Sequence, residues 1–210
     1  MNIFYLDRDP KTCAEMHNDK HVVKMILEYA QLLSTAHRVL DGTLVEGVSK
    51  SGRKAKRYEL PDERDGILYT ATHSNHPSAV WARSDEVHYR WLFSLWINLM
   101  DEYTYRYDKV HASARLIEGL SKPPTNIKFE GGFIEPPPAM PDHYRVKGNS
   151  IQSYHNYYAG DKVKMSRWTN RHMPLWFADA INSLYGDACY IQRDIKRNRI
   201  ISLPLQYANI

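Results

Sequence analysis

Between Asn18 and Gly42 the chain carries its most constraining pattern. The apolar residues Val22, Val23, Ile26, Ala30, Leu33 and Ala36 recur every three or four positions, the period of a helix with one buried face. Asn18 or Asp19 is suited to open that helix as an N-cap, and Asp41-Gly42 to close it, with the glycine available for a left-handed cap. An earlier start signal, Asp9-Pro10, precedes it. The remaining face holds His21, Lys24, Glu28, Gln31, Thr35 and Arg38. These step by three and four, so they form one polar stripe about five turns long. Such a stripe is either a solvated face laced with pairs such as Lys24–Glu28 or the wall of a cleft.

Further helices follow from the same reasoning. His73-Ser74-Asn75-His76-Pro77 reads as a turn that opens a helix at Pro77. Val80, Trp81, Val87, Trp91, Leu92, Leu95, Trp96 and Leu99 then keep a helical period to about Tyr105, with Ser84 marking a restart after a kink. Trp91 and Trp96 are expected in the core. A short helix is expected near 112–120, another from Asn149-Ser150 onward, and a last one from Pro174 to Tyr185. Ile3-Phe4-Tyr5-Leu6 and Ile200-Ile201-Ser202-Leu203 are the only short strand candidates. Of eleven prolines, Pro123, Pro124, Pro136, Pro137, Pro138 and Pro141 fall between 122 and 141. That stretch is neither helix nor central strand and reads as an extended strap across the surface. Residues 41–66 lack a sustained apolar period and hold Lys50, Arg53, Lys54, Lys56 and Arg57, so they read as an exposed, mobile loop suited to phosphate contact. The expected fold is mainly α: a compact helical bundle with long loops and a proline-rich strap. Residues 1–178 would form a helical catalytic or nucleic-acid-binding domain, and 179–210 an extension packed on it.

Composition narrows the function. The 210 residues include 15 Tyr, 5 Trp and 10 His, with a formal charge of +4. Tyr and Trp offer flat apolar rings with polar tips, suited to stacking on bases or sugars, and a mildly basic chain is compatible with nucleic acid. No apolar run reaches membrane-spanning length, and the first residues do not resemble a secretory signal. Cys13 and Cys189 are too few for a disulfide scaffold or a four-sulfur zinc site. A soluble protein of a reducing compartment, the cytoplasm, is expected. Walker, GxGxxG, HExxH, CxxC and GxSxG motifs are absent, which removes P-loop, Rossmann and serine-hydrolase chemistry.

Two constellations remain. His17, Asp19, His21 and Glu28, with His37, His73 and His76, contain metal-binding side chains, but Asp19 and His21 diverge by about 200° if both are helical. No metal ligand set or cofactor is assigned. The second constellation places the Glu28 carboxylate among amines. An amine beside a carboxylate suits Schiff-base chemistry at a sugar C1′, where the carboxylate stabilises positive charge and moves protons.

The run Asp19-Lys20-His21-Val22-Val23-Lys24-Met25-Ile26-Leu27-Glu28 resembles the first long helix of the pyrimidine-dimer DNA glycosylases of the phage endonuclease V type. There an Asp-x-His opens the helix and the catalytic glutamate lies nine residues beyond the Asp, the place of Glu28. Tyr154-His155-Asn156-Tyr157-Tyr158-Ala159-Gly160-Asp161-Lys162 is similar to that family's aromatic segment, allowing one inserted residue. Residues 76–109 resemble its central helix. The opening seven residues and the Asp19–Glu28 run also resemble uncharacterised phage-encoded proteins. The resemblance implies a phage DNA-processing enzyme in the host cytoplasm, a base-excising N-glycosylase with AP-lyase chemistry within reach, acting on a damaged or modified base in double-stranded DNA. Glu28 would be the central carboxylate. The family's nucleophile is an N-terminal α-amine. Here that is Met1, which the bulk of Asn2 leaves in place, with Lys24 or Lys20 as substitutes. His21 and Arg38 would orient phosphate or sugar. Tyr154, Tyr157, Tyr158 and Lys162 would contact nucleic acid, as would Lys54, Lys56 and Arg57. Two readings of other classes stand beside it: a non-catalytic nucleic-acid- or protein-binding accessory factor, and a metal-dependent nucleotide hydrolase.

Overall fold

The structure is a computed structural model that describes residues 1–48, 52, 54–185, 189–194 and 199–204. It is mainly α-helical. Eight α-helices are present among the described residues: α1 (Pro10–Met16), α2 (Asp19–Asp41), α3 (Arg64–Ile67), α4 (Pro77–Ala82), α5 (Glu86–Tyr107), α6 (Ile117–Leu120), α7 (Ser150–Gly160) and α8 (Leu175–Tyr185).

The long helix α2 is the centre of the fold, packed against α4 and α5, while α1 also lies on α5 and α7 on α8. Its start is fixed by Asn18, whose side-chain oxygen accepts from the His21 amide at 2.9 Å, one of the four amides a helix start leaves unpaired. Val22, Met25, Ile26, Tyr29, Ala30, Leu32, Leu33 and Ala36 are buried. Val23 is not on that face; it is 44% exposed, because one residue of helix turns the side chain about 100° away from Val22. The helix ends at Gly42, but not with a left-handed cap: its φ is −92°. A glycine is required for space instead, since a Cβ there would lie 2.4 Å from the Arg38 carbonyl oxygen.

The kink expected near Ser84 is real. Asp85 caps α5, accepting from the Val87 amide at 2.9 Å. Trp96 on α5 is fully buried, and its indole N–H donates to the Ile26 carbonyl at 2.9 Å, which locks α5 onto α2. Burying such a ring is worth about 1.5–3 kcal/mol or more. Trp91 is only partly buried and donates to the Arg8 carbonyl at 2.8 Å.

At the start of α2 the interior is ionic. Arg106, with no exposed surface, donates to Glu102 at 2.6 Å, to Asp19 at 2.9 Å and to the Glu15 carbonyl at 2.9 Å. Arg171 meets the other side of Glu102 at 2.8 Å. This knot joins α1, α2, α5 and the segment before α8. A buried charge is tolerated when it is paired and hydrogen-bonded throughout.

Three expectations change. The stretch 41–66 is not simply a loop: β1 (Thr43–Val48) and β2 (Lys54–Glu59) form an antiparallel hairpin, with Thr43 opposite Glu59. Each face mixes apolar and charged residues, Leu44 and Tyr58 with Glu46 and Lys56 on one and Val45 with Arg57 and Glu59 on the other, so no alternation of apolar residues announced it. Ile3-Phe4-Tyr5-Leu6 forms no strand; it is an extended segment buried in the core. Two-residue β3 (Trp168–Thr169) pairs with β5 (Arg199–Pro204), which also pairs with β4 (Cys189–Asp194). The expected boundary at 178 falls inside α8.

The strap is pinned along its length. Ile134 accepts from the Trp81 indole at 2.7 Å and its amide donates to His88 Nε2 at 2.9 Å. The Glu130 amide donates to Asp85 at 2.9 Å, and Pro136 accepts from the Ser150 hydroxyl at 2.8 Å.

Candidate active site

The polar stripe of α2 is covered at both ends and open in the middle. Toward the C-terminal end, Thr35 and Arg38 are buried; toward the N-terminal end, so is His21. Between them Lys24 is exposed and Glu28 is partly covered, with 16% of its side-chain surface free. Lys24 Nζ lies 3.1 Å from Glu28 Oε1. Three charged or titratable groups from elsewhere are brought to this stretch by the turn 73–76 and by Met1.

The turn is tied to α2. The Thr72 amide donates to Thr35 Oγ1 at 3.2 Å. His73 then adopts a left-handed backbone, φ 49°, an uncommon conformation for a non-glycine residue, and its carbonyl accepts from the His76 amide at 2.8 Å. The Thr72 hydroxyl lies 2.7 Å from His73 Nδ1. His76 caps α4: its Nδ1 accepts from the Ser78 amide at 3.2 Å. That bond assigns the tautomer. With Nδ1 accepting, a neutral ring carries its proton on Nε2. From the same first turn, the Ser78 hydroxyl reaches the Met1 carbonyl at 3.5 Å, so the N-terminal residue sits against the start of α4.

Electrostatics link these groups. Burial lowers the His76 pKa, the Met1 amine and His73 push the same way, and Glu28 opposes them. The N-terminal amine and the Glu28 carboxylate therefore both act on one imidazole. Sequence reasoning grouped His76 with Glu28 only as a candidate metal ligand and not with the amine–carboxylate pair; His76-Pro77 announced a helix start, but nothing local revealed that the turn would return to the middle of α2.

Several expected contact residues lie elsewhere. His21 is 5% exposed; its ring stacks on Phe4 with centroids 4.0 Å apart, and Nδ1 is 2.6 Å from the Tyr158 hydroxyl. Burial holds its pKa well below the usual histidine value. It is an interior group, because α7 and the N-terminal segment cover that end of the stripe. Arg38 cannot hold a phosphate in this arrangement. Its Nε donates to the Tyr69 carbonyl at 2.6 Å, Nη1 to the Tyr58 carbonyl at 2.8 Å and Asp65 Oδ1 at 2.7 Å, and Nη2 to the carbonyls of Asp65 at 2.8 Å and Leu68 at 2.9 Å. A guanidinium has five N–H donors, and all five are used.

The three tyrosines of α7 do not share a fate. Tyr154 and Tyr158 are fully buried. Tyr157 is partly buried, with Lys162 Nζ 4.4 Å from its ring centroid and Tyr144 beside it at 5.4 Å. Tyr157 and Lys162 are thus the pair that can meet a partner. Among the hairpin cations, Lys56 is 66% exposed and lies 3.6 Å from Glu46, and Arg57 pairs with Glu59. The Lys54 side chain and residues 49–51 and 53 lie outside the described part, as do the side chains of the basic run 193–199.

The histidine and carboxylate cluster weighed as a metal site is dispersed. His17 contacts the Cys13 carbonyl at 2.7 Å and the Tyr29 hydroxyl at 3.0 Å. Asp19 accepts from Arg106 and, at 2.9 and 2.8 Å, from the Thr169 amide and hydroxyl. His37 Nε2 lies 2.8 Å from the Tyr89 hydroxyl and Nδ1 2.9 Å from Arg64. Among the described residues no three ligating side chains converge. No helix among them is long and apolar enough to cross a membrane. No family model, curated protein or solved structure matches the chain.

Proposed function

We propose that the protein excises a base from DNA as an N-glycosylase, with the Met1 α-amine as nucleophile and Glu28 as the carboxylate that manages charge and protons. One observation supports this reading: the N-terminal residue lies against the helix start that His76 caps, with the Ser78 hydroxyl 3.5 Å from the Met1 carbonyl, and both the terminal amine and Glu28, on the open stretch of α2, act on the charge of that imidazole.

The chemistry follows from the groups. The neutral amine attacks C1′ while the C1′–N bond to the base breaks; the base leaves with that electron pair and takes up a proton. The new secondary amine expels O4′, which takes the proton that Glu28 received from the amine, so the sugar opens and an iminium is left, while the departed base is protonated from solvent. Glu28 faces the positive charge on the sugar and accepts the proton that the amine gives up. His76 Nε2 is a donor in the neutral ring, so base work falls to the carboxylate. Lys24 is the second amine at hand, but it is ion-paired with Glu28, and an α-amine is intrinsically a weaker base than a lysine amine, hence more often neutral. Tyr157 and Lys162 would contact the duplex. Strand cleavage would follow by elimination from the iminium.

The test is a duplex oligonucleotide carrying an abasic site, incubated with wild type and with Glu28→Gln. Wild type is expected to nick it and the variant to be slower by at least about a hundredfold. Binding without nicking or base release on abasic and modified-base duplexes would favour an accessory factor.

A further inference from the structure

Where the N-terminal segment, α5 and the strap meet, a cavity of about 460 Å³ is lined by Tyr5, Arg8, Trp91, Phe133 and Glu135. Three of its walls are aromatic. The Tyr5 and Trp91 ring centroids lie 5.0 Å apart at 62°, those of Tyr5 and Phe133 6.2 Å apart at 36°, and those of Trp91 and Phe133 5.9 Å apart at 52°. The rings are held from outside. The Trp91 indole is tied to the Arg8 carbonyl. Phe133 leans on Trp81 and His88, the two side chains that also bond its neighbour Ile134. The inclined rings make a box. No two of them are parallel or far enough apart to take a flat base between them.

The box contains polar groups that the protein does not satisfy. Tyr5 is 1% exposed, and its hydroxyl makes no hydrogen bond to any described residue. Among the described residues only Ser34 Oγ and Arg83 Nη1 are both partnerless and sealed from solvent. The small part of Tyr5 left open is therefore at its hydroxyl, and the cavity is the space it opens to. Glu135 Oε2 accepts from the Ser150 amide at 2.8 Å, while Oε1 has no partner and no cation pairs with the carboxylate among the described residues. Both charges of the cavity act on the Tyr5 hydroxyl: burial pushes its pKa up to about 12, Glu135 pushes the same way, and Arg8 opposes more weakly. Arg8 is exposed at the rim, where water satisfies it; the carboxylate and the hydroxyl are the groups left wanting.

We propose that this box binds a protonated alkylamine. The faces of aromatic rings are negative, and a cation within about 6 Å of a ring centroid is drawn to it. The three centroids are close enough together for one ammonium to lie within that reach of all of them. Its N–H groups donate to Glu135 Oε1 and to the Tyr5 oxygen, which ends the cost of a desolvated hydroxyl without a partner. The alkyl chain runs along the rings, and the volume suits a small molecule. The proposal does not rest on the glycosylase reading.

Calorimetric titration at pH 7 tests it with n-butylammonium, which is ionised there, and with 1-butanol as the uncharged molecule of the same shape. Wild type should bind the cation saturably and the alcohol at least about fivefold more weakly. Tetramethylammonium, with charge but no N–H, should also bind more weakly than butylammonium. Glu135→Gln keeps an oxygen for the Ser150 amide, and Phe133→Leu keeps an apolar wall at a residue that is 42% exposed; each should lower affinity for butylammonium at least about fivefold. Tyr5→Phe should lower it too while melting no lower than wild type, because the lost hydroxyl has no partner. N-acetyl-lysine amide, the same ammonium carried on a backbone, distinguishes the sources: tighter binding than butylammonium places the cation on a partner chain, weaker binding in a free amine. Equal binding of 1-butanol, or full affinity in both Glu135→Gln and Phe133→Leu, would overturn the proposal. So would the absence of saturable binding by wild type and by Arg8→Ala, which removes the one cation of this chain at the rim.

Discussion

Replacing Arg38 by alanine separates two roles that its position on α2 leaves open. In the structure this side chain ties the end of α2 to the segment 58–69 through five bonds, to the carbonyls of Tyr58, Asp65, Leu68 and Tyr69 and to Asp65 Oδ1. The carboxylate pair itself contributes little, because Asp65 is 44% exposed and exposed ion pairs are worth about 0–1 kcal/mol. The larger cost comes from the carbonyls. Each acceptor left buried and unpaired costs about 1–3 kcal/mol, and the Leu68 carbonyl lies in the most buried of the five bonds. Allowing the others to recover water in part, the loss should be about 3–5 kcal/mol, a large share of a typical domain's stability. Urea unfolding followed by tryptophan fluorescence measures it, with duplex affinity determined on the folded fraction. A loss under about 1 kcal/mol together with weakened DNA binding would refute the clamp and return Arg38 to phosphate recognition.

Glu28→Gln should cost about 10²–10⁴ in rate yet only about 0.3–0.5 kcal/mol in stability, the worth of an i,i+4 pair; normal turnover by this variant would remove Glu28 from the chemistry. Tyr158→Phe strips the interior bond to His21 and should destabilise by about 1–3 kcal/mol without changing DNA affinity, whereas Tyr157→Ala should lose about 1–3 kcal/mol of binding; the opposite pattern in urea melts and titrations would invert the division drawn within α7. Acid should weaken the fold before carboxylates titrate. Burial lowers the pKa of His17 and of His37 to about 4, so between pH 6.5 and 4 the unfolded chain binds more protons than the native one. Their contribution is complete above pH 6.5 and falls by about 1.4 kcal/mol per pH unit for each as pH drops; a denaturation midpoint flat over that window would contradict it.

Helices were legible where one residue type decides a local question. Asp9 and Asn18 cap, Pro77 starts a helix, and the period of α2 and α5 sets their buried faces. The site was legible only in part. Glu28 stands on the open stretch of its stripe, but no one-dimensional pattern shows that α7 and Phe4 cover His21 or that five acceptors enclose Arg38. Both are long-range events: the acceptors of Arg38 lie 20 to 31 residues away, and of the groups that cover His21, Phe4 lies 17 and Tyr158 137 residues away. The tyrosines of α7 show the same limit: a three-four spacing puts side chains near one face, while the neighbours decide that Tyr154 and Tyr158 are sealed and Tyr157 is not. The hairpin β1–β2 escaped because each of its faces mixes apolar and charged residues, so its strands carry no apolar alternation.

The most direct test of the account is the site of covalent capture. The protein is incubated with an abasic duplex under borohydride, and the reduced adduct is digested and mapped by mass spectrometry. The account predicts that the sugar is attached to the α-amine of Met1, and that Glu28→Gln suppresses the adduct. Attachment to Lys24, Lys20 or another lysine, or no adduct at all from a protein that binds the duplex, would contradict it.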